Sequence, residues 1–195
     1  MLDGRGDDAA WQRAPEVTWD TDYAGAPTGL VTHARFLYSG TALYALFRVE
    51  HTGLHTDHSR PTGAPRPKLY EEDCVELFFT PDGASPGHYY EVELGPFGHH
   101  LDIDVNRATK QSSTDWSSHA RITTTQDATA HTATIEVALE APEIVHALIA
   151  GHTLPFALYR MEGASPRSYL AWSPPRTAKP NFHVPDAFGS LVLDP

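Results

Sequence analysis

The residues best suited to chemistry are carboxylates that alternate with apolar residues in two neighbouring stretches of the chain. Glu91 and Glu93 alternate with apolar residues in the stretch from 89 to 94, and Asp102 and Asp104 do so in the stretch from 99 to 105. If these stretches form a hairpin closed by the four residues 95 to 98, their polar side chains share one face of the sheet. The predicted cross-strand pairs are Glu91–Asp102, Glu93–His100 and Tyr89–Asp104.

The predicted pair Glu91–Asp102 needs a compensating group, because like charges directly opposite each other destabilise a sheet. A cation, a shared proton, a polar ligand or an arginine such as Arg160 or Arg35 could provide it. Three functions use such carboxylates: hydrogen bonding to saccharide hydroxyls in a cleft, binding of Ca²⁺ through oxygen ligands, and glycoside hydrolysis by an acid paired with a base or nucleophile. A solvated strand face with compensating arginines is the alternative without a function.

Glu76 is a further carboxylate in the same kind of pattern. Val75, Leu77 and Phe79 alternate with it. Because successive side chains of a strand point to opposite faces, these three should face the core, whereas Glu76 and Phe78 should face the other side.

Metal and disulfide chemistry find less support in the sequence. Cys74 is the only cysteine, which excludes an internal disulfide and a cysteine-rich zinc site. Histidines cluster between 51 and 58 and at 99–100, but their spacing matches no metal-site signature. His183 is expected to fix its segment by hydrogen bonding to backbone.

The charge balance makes nucleic acid and membrane surfaces poor partners. The chain has 14 Lys and Arg against 25 Asp and Glu, a formal net charge of −11 that repels phosphate backbones and anionic lipids. The longest apolar run, Ala42–Phe47, is far shorter than the ~20 residues that span a bilayer. No signal peptide precedes the first turn, so the expected location is cytoplasmic as written, or extracytoplasmic if the chain is an excised module.

The elements that must position these residues are short strands, because the hydrophobic pattern has a period of two almost everywhere. Two short helices are expected, at 9–13 and from Pro142, and two irregular excursions at 53–68 and 173–185. The pattern predicts a single all-β domain over residues 1–195, an antiparallel β-sandwich or jelly roll of about ten strands. The predicted strands cover residues 32–38, 42–50, 74–80, 89–94, 99–105, 119–124, 132–139, 155–161, 169–172 and 190–193.

Five separated landmarks in a fixed order give the chain a specific resemblance. Together they resemble the family 9 carbohydrate-binding modules and their family 9-like relatives of the DOMON-like type, over nearly the whole chain. The landmarks are residues 2–4 with 8–11, the strand 73–79, residues 156–160, residues 172–174, and residues 182–185 with 188–189.

The resemblance implies a β-sandwich that binds sugars without cleaving them. It places the two aromatic rings that stack on the sugar at Tyr70 and Trp172, and a carboxylate that binds hydroxyls at Glu76. Tyr70 departs from the family pattern, in which tryptophan is usual, and its smaller ring implies weaker affinity or a different preferred sugar.

Glu91 and Arg160 complete the predicted set of binding residues. A guanidinium can both bond hydroxyls and neutralise neighbouring carboxylates. The expected ligand is a mono- or oligosaccharide and the expected partner a companion glycoside hydrolase. No cofactor is required, with Ca²⁺ as a candidate ion. A carboxylate-pair glycoside hydrolase and a haem-binding DOMON-like domain remain the alternative functions.

Overall fold

The computed structural model describes residues 2–81 and 83–194. In this part of the chain, no helix is long and apolar enough to cross a bilayer. The strands are β1 (Glu16–Thr21), β2 (Pro27–Tyr38), β3 (Leu43–Glu50), β4 (Cys74–Phe79), β5 (His88–Leu94), β6 (His100–Asn106), β7 (Gln111–Ser113), β8 (Arg121–Asp127), β9 (Thr132–Leu139), β10 (Thr153–Glu162), β11 (Ser168–Ala171) and β12 (Gly189–Val192). The helical segments are the helix α1 (Pro142–Val145) and the 3-10 turns Trp11–Arg13, Leu69–Glu71 and Pro185–Ala187.

The strands form two sheets in which every pair of neighbours is antiparallel. A five-stranded sheet has the order β1-β2-β3-β9-β8. A seven-stranded sheet has the order β11-β10-β4-β5-β6-β7, with β12 also paired to β10. The predicted antiparallel β-sandwich is confirmed. β1 and β7 were not among the predicted strands.

The main core lies between the two sheets and follows the period of two. Val75, Leu77 and Phe79 face inward from β4, as predicted, and pack with Phe47 of β3 and Ile135 of β9. These side chains are almost completely buried.

The outer face of the seven-stranded sheet carries a second apolar cluster. Phe78 lies on this face, opposite the core, but it is fully buried. Leu69, directly after the first excursion, and Phe182 from the second pack on the same cluster. The two excursions therefore cover much of this face, and its polar residues lie in a partly dry environment.

The hairpin of β5 and β6 differs from the predicted one by a register shift of one residue. Its turn closes where the Gly95 N–H donates to the His99 carbonyl at 2.8 Å, which leaves three turn residues and not four. Gly98 has φ +87°, the left-handed conformation that three-residue hairpin loops use. The observed pairs are Glu91–Ile103, Glu93–Leu101 and Tyr89–Val105.

The register shift separates the carboxylates that were predicted to oppose each other. Shifting a strand by one residue moves each of its side chains to the other face. Asp102 is therefore on the opposite side from Glu91, where it accepts hydrogen bonds from the Ser118 N–H and hydroxyl, both at 2.8 Å. The predicted repulsion between Glu91 and Asp102 does not arise.

The amino-terminal segment, residues 2–15, packs on the outer face of the five-stranded sheet. Trp11 is buried there against Leu46. The carboxylate of Glu136, which is fully buried in β9, accepts hydrogen bonds from Asp3 N–H at 3.0 Å, Gly4 N–H at 2.6 Å and the Trp11 indole N–H at 2.7 Å. Glu136 thus fastens this segment to the sheet.

Candidate ligand-binding groove

A groove of about 790 Å³ opens on the outer face of the seven-stranded sheet. This volume lies in the range of pockets that hold small ligands, about 300–1,000 Å³. Ile103, Val105 and Met161 form an apolar part of its lining, and Glu76 and Glu91 bring carboxyl groups to it. The groove therefore combines apolar surface with many polar groups, several of them charged side chains.

Aromatic rings from three segments line the groove. Tyr70 belongs to the 3-10 turn Leu69–Glu71. Its side chain is 43% exposed, more than that of any other tyrosine, tryptophan or phenylalanine that the structure describes. Tyr169 on β11 and Phe182 lie edge to face with ring centroids 6.3 Å apart. Phe182 also stacks on the buried Tyr159, with centroids 4.1 Å apart and planes 7° from parallel. Tyr70 is thus the accessible ring, and Phe182 is fixed by its neighbours.

Arg167 fixes the turn that presents Tyr70. Its guanidinium donates to the carbonyls of Tyr70 and Gly163 at 2.8 Å, to that of Glu71 at 2.9 Å, and to that of Glu72. These bonds join the Tyr70 turn to the connection between β10 and β11. The backbone under Tyr70 is therefore restrained before any ligand binds.

Three glutamates lie close together on β4 and β5. Glu76 and Glu93 are directly opposite each other in the sheet, and Glu91 is two residues away on the same face. All three are buried, with 3% exposure or less. Both carboxyl oxygens of Glu93 and Oε2 of Glu91 have no well-formed hydrogen bond.

Burial raises the pKa of all three carboxyl groups. Desolvation is the largest cause for Glu76, Glu91 and Glu93, because water no longer stabilises the charged form. Repulsion from neighbouring carboxylates raises the pKa of Glu76 and Glu93 further. The neutral, protonated form is favoured, and a protonated carboxyl can donate as well as accept a hydrogen bond.

His183 lies in the wall of the groove, next to the hydroxyl of Tyr89 and the carboxyl group of Glu91. Its Nδ1 is 2.6 Å from the hydroxyl of Tyr89 and 3.8 Å from Oε2 of Glu91. Burial and then the nearby Arg107 lower the pKa of His183. The ring therefore holds its segment through the Tyr89 hydroxyl and not, as predicted, through a backbone group.

The structure brings Tyr70, Glu76 and Glu91 together at the groove, but not Arg160. Arg160 lies on the inner face of β10, on the same side as Phe156 and Leu158, and is 2% exposed. It donates to Thr32 Oγ1 at 3.1 Å, to backbone carbonyls of the five-stranded sheet, and to the Glu162 carboxylate. Its predicted contact with a saccharide stays a prediction, which this position does not favour.

Trp172 is also directed away from the groove. It packs against the main core between the sheets, on the same side as Leu170. Its ring lies so close to Gly189 that a Cβ there would be 2.7 Å from it. Tyr169, on the other face of this strand, is the aromatic residue that lines the groove. The stacking role predicted for Trp172 likewise stays a prediction.

One cluster has the atoms to hold a metal ion, but it does not suit Ca²⁺. Ligand atoms of Cys74, Glu76 and Glu93 lie within 4.8 Å of one another, the only such group of three in residues 2–81 and 83–194. Ca²⁺ takes about six to eight oxygen ligands, whereas this group offers two carboxyls and a thiol. Burial raises the pKa of the Cys74 thiol well above its usual value, so the thiol form is favoured. The residues present do not support the candidate calcium ion.

The fold and the groove define the chain as a β-sandwich domain with a ligand-sized groove on one outer face. The chain belongs to the carbohydrate family 9 binding domain-like family, whose model matches residues 2–195. The family resemblance carried by the five sequence landmarks is confirmed. No curated protein matches the chain.

Solved structures with this fold include three that cover almost the whole chain. A candidate carbohydrate-binding protein from Bacteroides uniformis is 15% identical, with a TM-score of 0.76 over 96% of this chain and 91% of that one. A family 9 carbohydrate-binding module from Caldicellulosiruptor kristjanssonii in complex with cellotriose is 18% identical, with a TM-score of 0.65 over 100% and 89% of the two chains. A module of the same family and organism in complex with glucose is 17% identical, with a TM-score of 0.54 over 97% and 88%. At these identities the similarity shows the fold.

Several residues of the groove were missed from the sequence. Phe182 belongs to a family landmark, and the sequence predicts for its neighbour His183 a role in fixing the chain and not a place in a groove. Tyr169 and Trp172 point to opposite faces of the sheet because they are three positions apart. The sequence alone does not show which of the two faces carries the groove. Arg107 and Lys110 lie in the turn between β6 and β7, and β7 was not predicted.

Proposed function

We propose that the chain binds a saccharide in this groove without cleaving it. A pyranose ring has an apolar face of C–H groups and a rim of hydroxyls. Tyr70 would take the apolar face, while Glu76 and Glu91 would bind hydroxyls at the floor. The family and the neighbours solved with cellotriose and glucose support a saccharide ligand.

The observation that carries this proposal is that the exposed Tyr70 ring and the carboxyl groups of Glu76 and Glu91 line the same groove. An aromatic ring can pack on the apolar face of a pyranose, and carboxyl groups can bond its hydroxyls.

The state of the carboxyl groups also supports binding over hydrolysis. A glycosidase needs one carboxylic acid together with one carboxylate that acts as base or nucleophile. At Glu76 and Glu91 the raised pKa favours the protonated form of both groups. Such a pair supplies hydrogen bonds, but it is poorly suited to provide the carboxylate.

The test is isothermal titration calorimetry with glucose and cellotriose on the wild type and Tyr70→Ala. Loss of the stacking ring should weaken binding about two- to twelvefold, since aromatic contacts contribute about 0.5–1.5 kcal/mol beyond area burial. Tyr70→Phe keeps the ring and should keep most of the affinity. The melting temperature should change little in both variants, because Tyr70 is exposed.

Equal affinity of Tyr70→Ala and the wild type would contradict the proposed platform. A reducing-sugar assay on each bound oligosaccharide separates the alternatives: product release selects the hydrolase. A Soret band in the purified protein selects haem binding.

A further inference from the structure

The rim of the groove carries cations without carboxylate partners, although the chain as a whole is strongly acidic. Arg107 and Lys110 are exposed in the turn between β6 and β7 and line the groove. Neither side chain forms an ion pair or hydrogen bond with any residue that the structure describes. The net charge of the chain is −11, so carboxylates are abundant at its surface.

Some surface arginines of this chain find carboxylates, and others do not. Arg121 binds Glu140 at 2.7 Å, and Arg35 binds Glu16 at 3.0 Å. Arg48, Arg176 and Lys179 have no carboxylate partner in the described chain. Arg107 and Lys110 differ from these three because both lie on one turn and both line the groove.

Arg167 adds a third positive charge on the other side of the groove. Its four terminal hydrogen bonds go to backbone carbonyls and none to a carboxylate. Its Nε is buried without an acceptor. The guanidinium charge is thus solvated by dipoles but not neutralised by an ion.

The acidic residues of the groove do not cancel these charges. Glu71 is paired with Lys68 at 2.9 Å. Glu76 and Glu91 lie deep in the groove, where burial raises the pKa and favours the neutral form. The groove therefore presents a positive rim above a largely uncharged floor.

We infer that the saccharide bound in this groove carries an anionic substituent, and that Arg107 and Lys110 bind it. The carboxylate of a uronic acid has this chemistry, and so does a sulfate ester. Charge-assisted hydrogen bonds are about twice as strong as neutral ones, and opposite charges select between similar ligands. This inference rests on the proposed function, because it assigns the class of sugar to the same groove.

The experiment compares matched sugars by calorimetry at low ionic strength: glucose with glucuronate, and galactose with galacturonate. The acidic member of a pair should bind about five- to tenfold more tightly, and added salt should reduce the difference. Glucose 6-sulfate tests whether the source of the anion is carboxylate or sulfate. Acetate alone should not bind, because it lacks the ring.

The double variant Arg107→Gln with Lys110→Gln should lose the preference for the acidic sugar and keep the affinity for the neutral one. Arg48→Gln is the matched control, since Arg48 is exposed on the other sheet and has no partner in the described chain. All of the substituted residues are at the surface, so the melting temperatures should stay close to that of the wild type.

Equal affinity for glucose and glucuronate would overturn the inference and leave the proposed function intact. A preference for the acidic sugar that survives the double substitution would also overturn it, since other residues would then be responsible. Absence of binding by every sugar of the set would count against both proposals.

Discussion

The two sheets each bury glutamate on their outer face, but the two environments are opposite. Glu136 on the five-stranded sheet receives three hydrogen bonds from the amino-terminal segment. Glu93 on the seven-stranded sheet is equally buried, yet both of its oxygens lack a well-formed hydrogen bond and its pKa is raised. The same residue type is therefore satisfied on one face and unsatisfied on the other.

This difference separates a carboxylate held by donors of its own chain from a group of carboxyls that lie against one another. Around Glu136 the amino-terminal segment supplies three donors. Around Glu93 and Glu91 the neighbouring polar groups are carboxyls, the Tyr70 backbone and His183, and the groove reaches this region at Glu91. Because proteins usually satisfy buried polar groups, the second arrangement is the less stable one.

The largest expected effect is on the satisfied side. Glu136→Ala leaves three donors without an acceptor, two of them buried, and should lower the free energy of unfolding by about 3–5 kcal/mol. Urea unfolding followed by tryptophan fluorescence measures the change. Glu140→Ala is the control: its partner Arg121 is exposed, and a surface pair contributes at most about 1 kcal/mol. Equal losses of stability in the two variants would contradict the role of Glu136 in holding the amino-terminal segment on the sheet.

The second-largest expected effect is that of replacing Trp172, which packs against the main core between the two sheets. Trp172→Ala removes a half-buried ring from the main core and should cost about 2–3 kcal/mol of stability, less than for a fully buried tryptophan. Saccharide affinity of the folded variant should remain close to that of the wild type. Thermal melting and calorimetry on the same sample measure both. Lost binding with an unchanged melting temperature would restore the stacking role.

The smallest expected effect is a dependence of the stability on pH, which arises from Glu93 on the seven-stranded sheet. A raised pKa means that the folded protein holds a proton which the unfolded chain releases, so stability falls as pH rises above 4.5 towards the raised pKa of Glu93. Between about pH 6.5 and 8.5 the wild type should lose at least about 1 kcal/mol. His183 has a lowered pKa, so below pH 6.5 it would make the stability rise with pH. The measurement therefore starts at about pH 6.5, above the range in which His183 contributes.

Glu93→Gln is the variant that sharpens this comparison. An amide of the same shape cannot ionise, so the variant should lose less stability over the window than the wild type does. Urea unfolding at each pH gives the two slopes. Parallel slopes would show that Glu93 does not titrate in this range.

Much of the fold could be predicted because strand periodicity is local. Val75, Leu77 and Phe79 face the core as their alternation requires. The register of β5 and β6 could not be obtained in the same way, since it depends on whether the turn holds three residues or four. The left-handed backbone at Gly98 decides that question, and the one-residue difference moved Asp102 to the other face.

The site was predictable where a residue's face and segment were both local properties. Tyr70, Glu76 and Glu91 lie at the groove. Arg160 shares its strand parity with Phe156 and Leu158, so the sequence did contain the signal that it points inward. Arg107 and Lys110 carried no such signal, because only the pairing of the short strand β7 brings their turn to the groove.

The lysines of the chain decide how the protein can be attached to a surface. Its three lysines are Lys68, Lys110 and Lys179, all exposed. Lys110 lines the groove, Lys68 lies two residues from Tyr70, and Lys179 precedes the groove residue Pro180. Amine-directed coupling through lysine would therefore obstruct the groove, whereas a tag on the amino-terminal segment, held on the opposite sheet by Glu136, would leave the groove facing the solution.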